Sequence, residues 1–204
     1  MVTDAIDLVL ASGSPRRSQI LAQMGVKFSV LANDVDESLQ ATEAPRAYVS
    51  RLAMAKAERG FSNTLSSIPV LGADTVVVLG QQIFGKPCNS NEAHSMLTAL
   101  SGRVHSVITA VAVTNGLTTA TRVSTSDVRF RKLTGDERRD YVATGEPMGK
   151  AGGYAIQGFG GIFVEHLAGS YSGVVGLPVD LTHQLLQLFG VSVWGSLSDR
   201  GVPT

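Results

Sequence analysis

Residues 68–87, IPVLGADTVVVLGQQIFGKP, contain two apolar runs separated by a Gly-Gln-Gln turn. Short runs rich in valine and isoleucine on either side of a turn are typical of two neighbouring β-strands. The pattern predicts that Asp74 lies inside the first strand and that Gly85, Lys86 and Pro87 close the second. An otherwise apolar strand pair thus carries one acid and one lysine.

Helix-like and strand-like segments alternate on both sides of this strand pair. A helix is predicted from about Thr42 to Arg59 before the pair, and another from Ser90 to Ser101 after it. Asn115-Gly116 separates two long apolar runs, which is a strong signal for a β-hairpin. Thr134 and Glu137 fit a capping box at the start of a further helix. This alternation predicts an α/β fold.

Both ends of the chain are also predicted to contain helices. Residues 7–11, DLVLA, form a predicted buried strand. The helix that follows has Ser14 as N-cap, Pro15 at its first position and Gly25 as its stop. Pro178 opens a last helix near the other end. Its predicted inward-facing residues are Leu181, Leu185 and Leu188.

The overall composition predicts a soluble globular protein with one folding unit. The chain has 204 residues, of which 44% are hydrophobic and 17% are charged. Such a composition excludes disorder, and no apolar run approaches the roughly 18 residues of a membrane span. The 17 basic and 17 acidic residues cancel. No global field therefore favours a nucleic acid polymer as partner.

Cysteine usage predicts a cytoplasmic location. Cys88 is the single cysteine, so no internal disulfide can form, and the N-terminus lacks the layout of a signal peptide. Cys88 is interpreted as a packed or surface thiol, because no histidine lies at the spacing of a catalytic partner. The four histidines are scattered along the chain, which argues against a zinc site. The GKP string also lacks the ending and the upstream glycines of a P-loop.

A candidate phosphate site lies where the first predicted strand meets the first helix. The segment Ser14, Pro15, Arg16 and Arg17 begins that helix. Unpaired amides and the positive end of the helix dipole favour an anion there, and two guanidiniums add donors suited to phosphate oxygens. The alternative is an ordinary capped helix with two solvated arginines.

Two charged residues are predicted to lie among apolar ones. Lys56 follows Leu52 by one helical turn, so it must either extend outward to water or meet a negative charge. Asp74 needs a cation, hydrogen bonds or a metal unless it lies at an edge or turn. Asp36 and Glu37 can add carboxylates to a shared Mg²⁺ site. A solvated loop is the alternative for that pair.

Several strings follow one another along the chain, and together they resemble a known family. They are LASGSPRRSQIL, NDVDE, RLAMAKA, GADTVV, GKP, SGRVHSVITAV and GKAGGYAIQGFGGIFVEHLAGSYSGVVGLP. In this order and spacing they resemble the Maf family of nucleotide pyrophosphatases over nearly the whole length. The resemblance implies hydrolysis of nucleoside triphosphates between the α and β phosphates with a divalent cation, Mg²⁺ or Mn²⁺.

The resemblance also implies an architecture and a set of site residues. The implied fold is an elongated mixed β-sheet with flanking helices and a central cleft, similar to the inosine triphosphate pyrophosphatases, in a single domain of residues 1–204 with two lobes. Asp74 would orient or deprotonate the attacking water, and Glu37 would be its partner carboxylate for the metal. Lys56 and Lys86 are the implied catalytic cations. The implied substrate-binding residues are Ser14, Arg16, Arg17, Thr75 and Gln157.

Arg16, Thr75 and Gln157 resemble the branch of the family that acts on dTTP, UTP and related modified pyrimidine nucleotides. The side-chain chemistry agrees, because an amide both donates to and accepts from a neutral pyrimidine edge. The alternatives are a pyrophosphatase for 7-methyl-GTP or inosine triphosphate, and a nucleotide-binding regulator of cell division. Family habit and the long hairpin strands suggest a homodimer.

Overall fold

The structure, a computed structural model, describes residues 6–64 and 67–195, in which helices and strands alternate. The strands are β1 (Leu8–Leu10), β2 (Phe28–Val30), β3 (Val70–Leu79), β4 (Gln82–Phe84), β5 (Val104–Thr114), β6 (Thr119–Phe130) and β7 (Val164–Ala168). The α-helices are α1 (Pro15–Gln23), α2 (Pro45–Ser62), α3 (Ser90–Leu100), α4 (Gly135–Ala143), α5 (Tyr171–Val175) and α6 (Val179–Leu188). Short 3₁₀ turns lie at Ala151–Gly153 and Phe159–Phe163.

The strands form one mixed sheet. Its path is β2-β1-β3-β5-β6-β7, with β4 paired to β3 at the side. β1 pairs in parallel with both β2 and β3, whereas the β3–β4 and β6–β7 pairs are antiparallel. The predicted α/β fold with a mixed sheet and flanking helices is therefore confirmed.

The chain forms two compact units, and β3, β5 and β6 each contribute a segment to both. Among the described residues, the first unit contains 6–64, 67–74, 110–123 and 176–195. The second unit contains 75–109 and 124–175. The single domain of residues 1–204 with two lobes stays a prediction.

Most helix ends follow their local signals, but two predictions were wrong. α2 begins at Pro45 and not at Thr42, because Thr42 has a φ of 62° that no α-helical residue adopts. Leu188 of α6 is 64% exposed, while Leu186 is buried. The buried face of α6 is centred between Leu185 and Leu186, so Leu188 in the last turn points away from it.

Within 6–64 and 67–195, no helix is long and apolar enough to cross a membrane.

The predicted Asn115-Gly116 turn and the predicted capping box of α4 are confirmed. In the β5–β6 turn, Asn115 Oδ1 accepts hydrogen bonds from the N–H groups of residues 117 and 118. Gly116 adopts a φ of 83°, which favours glycine. Thr134 and Glu137 form the reciprocal hydrogen bonds of a capping box at the start of α4.

In the first unit, α2 packs against β3 at a glycine. Ala53 and Ala57 of α2 are fully buried. A Cβ atom added to Gly72 would lie 2.5 Å from the Ala57 amide nitrogen and would also collide with the Ala53 carbonyl. The missing side chain therefore lets the backbones of α2 and β3 approach closely.

The core of the second unit contains a buried histidine. His105 lies edge-on to the rings of Phe130 and Tyr154. Its Nε2 atom is 2.9 Å from the Tyr154 hydroxyl, and its Nδ1 atom is buried without a hydrogen-bond partner in the described part of the chain. Burial lowers the pKa of His105 from 6.5 to about 4, opposed by the nearby Asp127. The folded protein therefore holds this imidazole neutral at pH 7.

We expect Gly72→Ala to destabilise the fold by about 3 kcal/mol, because its Cβ meets backbone atoms of α2 that cannot rotate away. Gly85→Ala is the matched control, since a Cβ there has no neighbour within 4 Å. Urea unfolding of both variants measures the difference. Equal unfolding midpoints would show that α2 does not need the close approach.

We expect His105 to make stability fall as the solution is acidified. Its pKa is lower in the folded than in the unfolded chain, so its contribution is complete above pH 6.5 and is lost between pH 6.5 and about 4. The wild type should lose on the order of 2 kcal/mol more over this range than His105→Gln. Urea unfolding at several pH values checks this, with the exposed His166→Gln as control. Parallel curves for wild type and His105→Gln would contradict it.

Candidate active site

The first part of the site is the start of α1. Ser14 is the N-cap, with Pro15 at the first helical position as predicted, but the Ser14 hydroxyl makes no capping hydrogen bond. The Ser14 N–H instead donates to Ser12 Oγ over 3.3 Å. This bond links the start of α1 to the residues just after β1. The positive end of the helix dipole there favours an anion.

Two guanidiniums follow at this terminus. Arg17 donates from Nη1 to Ser12 Oγ and from Nε to the Gly176 carbonyl, both over 3.0 Å. Burial lowers the pKa of Arg17 below its ordinary value, whereas the charges of Asp74 and Glu37 raise it. Burial also lowers the pKa of Arg16. Both side chains are half-buried, and the phosphate site stays a prediction.

Lys56 lies between two carboxylates. Its Nζ atom is 2.7 Å from Asp74 Oδ1 and 2.7 Å from Glu37 Oε1. Lys56 and Asp74 are each 8% exposed, whereas the Glu37 side chain is 47% exposed. Lys56 therefore meets negative charge and does not extend outward to water. Asp74 has the cation that a buried carboxylate needs.

Gly72 explains how Lys56 reaches Asp74. Ala53 and Ala57, whose backbones Gly72 touches, lie three positions before and one position after Lys56 in α2. Asp74 lies two positions after Gly72 in β3, on the same face of the strand. The close approach of the two backbones thus brings the amine and the carboxylate within hydrogen-bonding distance.

The Glu37 loop is held by side chains of α2. The Tyr48 hydroxyl donates to the Glu37 carbonyl over 2.8 Å. Arg51 donates to the Ser38 carbonyl over 3.0 Å and pairs with both carboxylate oxygens of Glu43. These bonds hold the loop backbone where the Glu37 side chain can reach Lys56.

Asp36 lies beside Glu37 but has a local role. Its Oδ1 atom accepts a hydrogen bond from the Ser38 N–H over 2.9 Å. That bond lowers the pKa of Asp36 below its ordinary value. In 6–64 and 67–195, no group of three or more His, Cys, Asp or Glu side chains is placed to hold a metal.

The second unit carries the remaining predicted residues. Thr75 Oγ1 lies 2.9 Å from Thr109 Oγ1, and Thr109 donates to the Gly173 carbonyl over 2.8 Å. Because the hydroxyl of Thr109 has one proton, Thr75 is the donor between the two threonines. Lys86 is exposed just after β4, and Gln157 is exposed between the two 3₁₀ turns.

The predicted residues therefore divide between the units. The first unit brings together Glu37, Lys56 and Asp74. Arg17, at the start of α1, interacts electrostatically with Asp74 and Glu37. The residues that belong to this unit are Ser14, Arg16, Arg17, Glu37, Lys56 and Asp74. Those of the second unit are Thr75, Lys86 and Gln157. Asp74 and Thr75 are consecutive in β3, and the boundary between the two units falls between them.

Comparison with known proteins identifies the family. The family model described as "Maf-like protein" matches residues 7–189. The chain belongs to the Maf family.

Curated relatives resemble the chain over most of its length. A protein of Shewanella denitrificans is 51% identical, covering 87% of this chain and 93% of its own. Proteins of Aromatoleum aromaticum and Saccharophagus degradans are 49% and 47% identical, covering 90% and 96% of this chain and 95% and 94% of their own. All three are named dTTP/UTP pyrophosphatase.

Among solved structures, the Staphylococcus aureus Ham1 protein is similar to this Maf chain with a TM-score of 0.45 and 14% identity, covering 91% of each chain. A nucleoside-triphosphatase described as a dITP/XTP pyrophosphatase, from Mycobacterium abscessus, has a TM-score of 0.43 and 13% identity, covering 90% of this chain and 92% of its own.

Three residues of this Maf site were missed from the sequence. Ser12 binds Arg17, while Tyr48 and Arg51 hold the Glu37 loop. Tyr48 had a detectable signal, because it lies two i+4 steps before Lys56 and shares its face of α2. Ser12 had none beyond its place at the end of a strand.

We expect Lys56→Met to cost about 3 kcal/mol, because it leaves Asp74 buried without its closest cation. The double variant Lys56→Met with Asp74→Asn should be more stable than Lys56→Met alone. Urea unfolding of the two single variants and the double variant gives the coupling free energy. Lys132→Met is the control for an exposed lysine. Additive effects would mean that the 2.7 Å pair contributes nothing to the fold.

Proposed function

We propose that this chain is a nucleoside triphosphate pyrophosphatase that hydrolyses dTTP and UTP to the monophosphate and pyrophosphate. The observation that carries the proposal is the buried Lys56 amine between the carboxylates of Asp74 and Glu37. Relatives at 47–51% identity that bear the name dTTP/UTP pyrophosphatase support the substrate class. A binding module has no need of a buried acid at a phosphate site.

The cationic side chains are proposed to bind the triphosphate. The first turn of α1 offers backbone N–H groups, the Ser14 hydroxyl and the guanidiniums of Arg16 and Arg17. Lys56 and Lys86 are proposed to add positive charge against the negative charge that develops on the leaving pyrophosphate. Binding and charge neutralisation both favour the in-line displacement of a phosphoanhydride.

Asp74 is proposed to handle the attacking water. It accepts a proton from the water as the water oxygen bonds to the α phosphorus, and the bond from that phosphorus to the α–β bridging oxygen breaks. The electron pair leaves with pyrophosphate. The contact with Lys56 holds the carboxylate in one orientation, so its second oxygen can face the water.

We infer that a divalent cation delivered with the nucleotide is held beside this cluster. Glu37 and Asp74 each place one carboxylate oxygen 2.7 Å from the Lys56 amine, so their other oxygens are the donors proposed for the metal. Mg²⁺ is commonly held by one or two carboxylates together with substrate phosphates and water. Glu37 and Asp74 would hold Mg²⁺ or Mn²⁺, which when bound neutralises phosphate charge.

Base selection is proposed to rest on Arg16, Thr75 and Gln157. The Gln157 amide is exposed and has both donors and an acceptor for a pyrimidine edge. The hydroxyl proton of Thr75 is bound to Thr109, so Thr75 can offer a ligand only its lone pairs. These features and the relatives' names favour pyrimidines over 7-methyl-GTP and inosine triphosphate.

Two further properties belong to the same proposal. A cytoplasmic location suits an enzyme that acts on free nucleotides, and a single exposed cysteine is compatible with it. A homodimer is proposed on the basis of family habit and of the long strands β5 and β6.

We expect the wild type to release pyrophosphate from UTP and dTTP faster than from ATP, GTP, 7-methyl-GTP or inosine triphosphate. Asp74→Asn should lower kcat about 10³-fold while KM changes less, because proton transfer from the water is lost in the transition state whereas the proposed metal contact is shared with Glu37. Pyrophosphate release with and without Mg²⁺ measures both. Asp180→Asn, an exposed acid of α6, is the matched control.

Two outcomes would contradict this proposal. Turnover of purine nucleotides alone would overturn the substrate class. A wild type that binds UTP but hydrolyses none of the nucleotides, with Asp74→Asn binding equally well, would favour the regulator of cell division.

A further inference from the structure

The loop that carries Gln157 is held at both ends by two side chains of the second unit. The backbone N–H of Ala155 donates to the Tyr141 hydroxyl over 3.1 Å. The N–H groups of Phe159 and Gly160 donate to the carboxylate of Glu146 over 3.0 and 2.9 Å. The residues between these contacts, 156–158, have Gln157 at their centre.

Glu146 binds the loop by geometry that leaves little freedom. Its Oε1 atom accepts from both the Gly160 N–H and the Tyr141 hydroxyl, and its Oε2 atom accepts from the Phe159 N–H. A Cβ atom at Gly158 would collide with this carboxylate. Burial raises the pKa of Glu146, but the hydrogen bonds from Gly160, Tyr141 and Phe159 outweigh it and lower the pKa below its ordinary value. Glu146 is therefore an ionised acceptor at pH 7.

Tyr141 links the carboxylate to the other end of the loop. Its hydroxyl donates to Glu146 over 2.8 Å and accepts from Ala155. Its ring is buried and lies edge-on to Phe163, with centroids 4.9 Å apart. Burial and the contact with Glu146 raise the pKa of Tyr141, so the phenol keeps its proton. The hydroxyl is thus a fixed point of the core to which the loop is attached.

We propose that Glu146 and Tyr141 are positioning residues that set base selection by holding the loop of Gln157. This inference rests on the proposed function, in which the Gln157 amide meets the pyrimidine. An amide on an untied loop turns to suit many base edges, whereas one on a held loop presents a fixed donor and acceptor pattern. Pre-organisation of this kind raises affinity for the matching base and leaves the others unpaired.

The contacts of Glu146 separate this role from a structural one. Besides the Tyr141 hydroxyl, the carboxylate accepts only from loop N–H groups among the hydrogen bonds described for it. Glu146→Gln keeps the shape of the side chain but replaces one acceptor oxygen by a donor. Loss of one charged hydrogen bond and strain at a second should therefore loosen the loop and spare the apolar core.

We expect Glu146→Gln to lower the ratio of kcat/KM for UTP to that for ATP about 10-fold, which is about 1.4 kcal/mol of discrimination. The loss should come from KM for UTP, with kcat within threefold of the wild type. Tyr141→Phe should act in the same direction. Glu165→Gln, an exposed acid of β7, is the matched control and should leave the ratio unchanged.

A double-mutant cycle with Gln157→Ala decides whether Glu146 acts through Gln157. If it does, Glu146→Gln has no further effect on the ratio once Gln157 is an alanine. Amide hydrogen exchange at Phe159 and Gly160 should also be faster in Glu146→Gln than in the wild type. Equal losses in both backgrounds, or unchanged exchange, would overturn the inference.

The outcomes also separate this inference from the proposed function. If the wild type does not prefer UTP over ATP, both the proposed function and the inference are contradicted. If the wild type prefers UTP, Gln157→Ala loses that preference and Glu146→Gln keeps it, only the inference is contradicted.

Discussion

The buried Lys56 amine lies between two carboxylates. It reaches Asp74 because α2 approaches β3 closely. Gly72 makes that approach possible, since any side chain there would meet the backbone of the helix. An ion pair this buried is costly to desolvate and is weak evidence for stability. Its presence is better explained by chemistry, which needs an ionised acid and a cation in a fixed relation.

The sequence predicted most of the regular elements and the two buried charged residues within them. Lys56 lies on the apolar stripe of α2, so it had to reach either water or a negative charge, and Asp74 lies inside an apolar strand, so it needed a cation, hydrogen bonds or a metal. The 3.6-residue period of a helix and the two-residue period of a strand predict which side chains share a face. Where this reasoning failed, as at Leu188, the buried face was displaced by part of a turn, which packing and not the repeat determines.

Glu37, Lys86 and Gln157 lie on loops, which have no helical or strand periodicity from which a side chain's direction can be predicted. Glu37 reaches Lys56 because Tyr48 and Arg51 bind the carbonyl groups of its loop. The i+4 spacing places Tyr48 on the same face of α2 as Lys56, but the backbone group that its hydroxyl binds depends on tertiary position and leaves no pattern in the sequence. The same holds for the loop of Gln157, since Glu146 and Tyr141 bind its N–H groups across 13 or 14 positions of sequence.

Both loops are tied through a tyrosine hydroxyl that belongs to a helix, Tyr48 of α2 and Tyr141 of α4. The residues of the buried cluster, Lys56 and Asp74, lie on the helix and strand themselves. Rigid elements keep the charges of the proposed chemistry in place, while the two held loops carry the acid proposed to bind the metal and the amide proposed to contact the base. A change in a tie then alters the loop without disturbing the core. In the proposed function, substrate choice can therefore vary while the buried cluster of Lys56 and Asp74 stays the same.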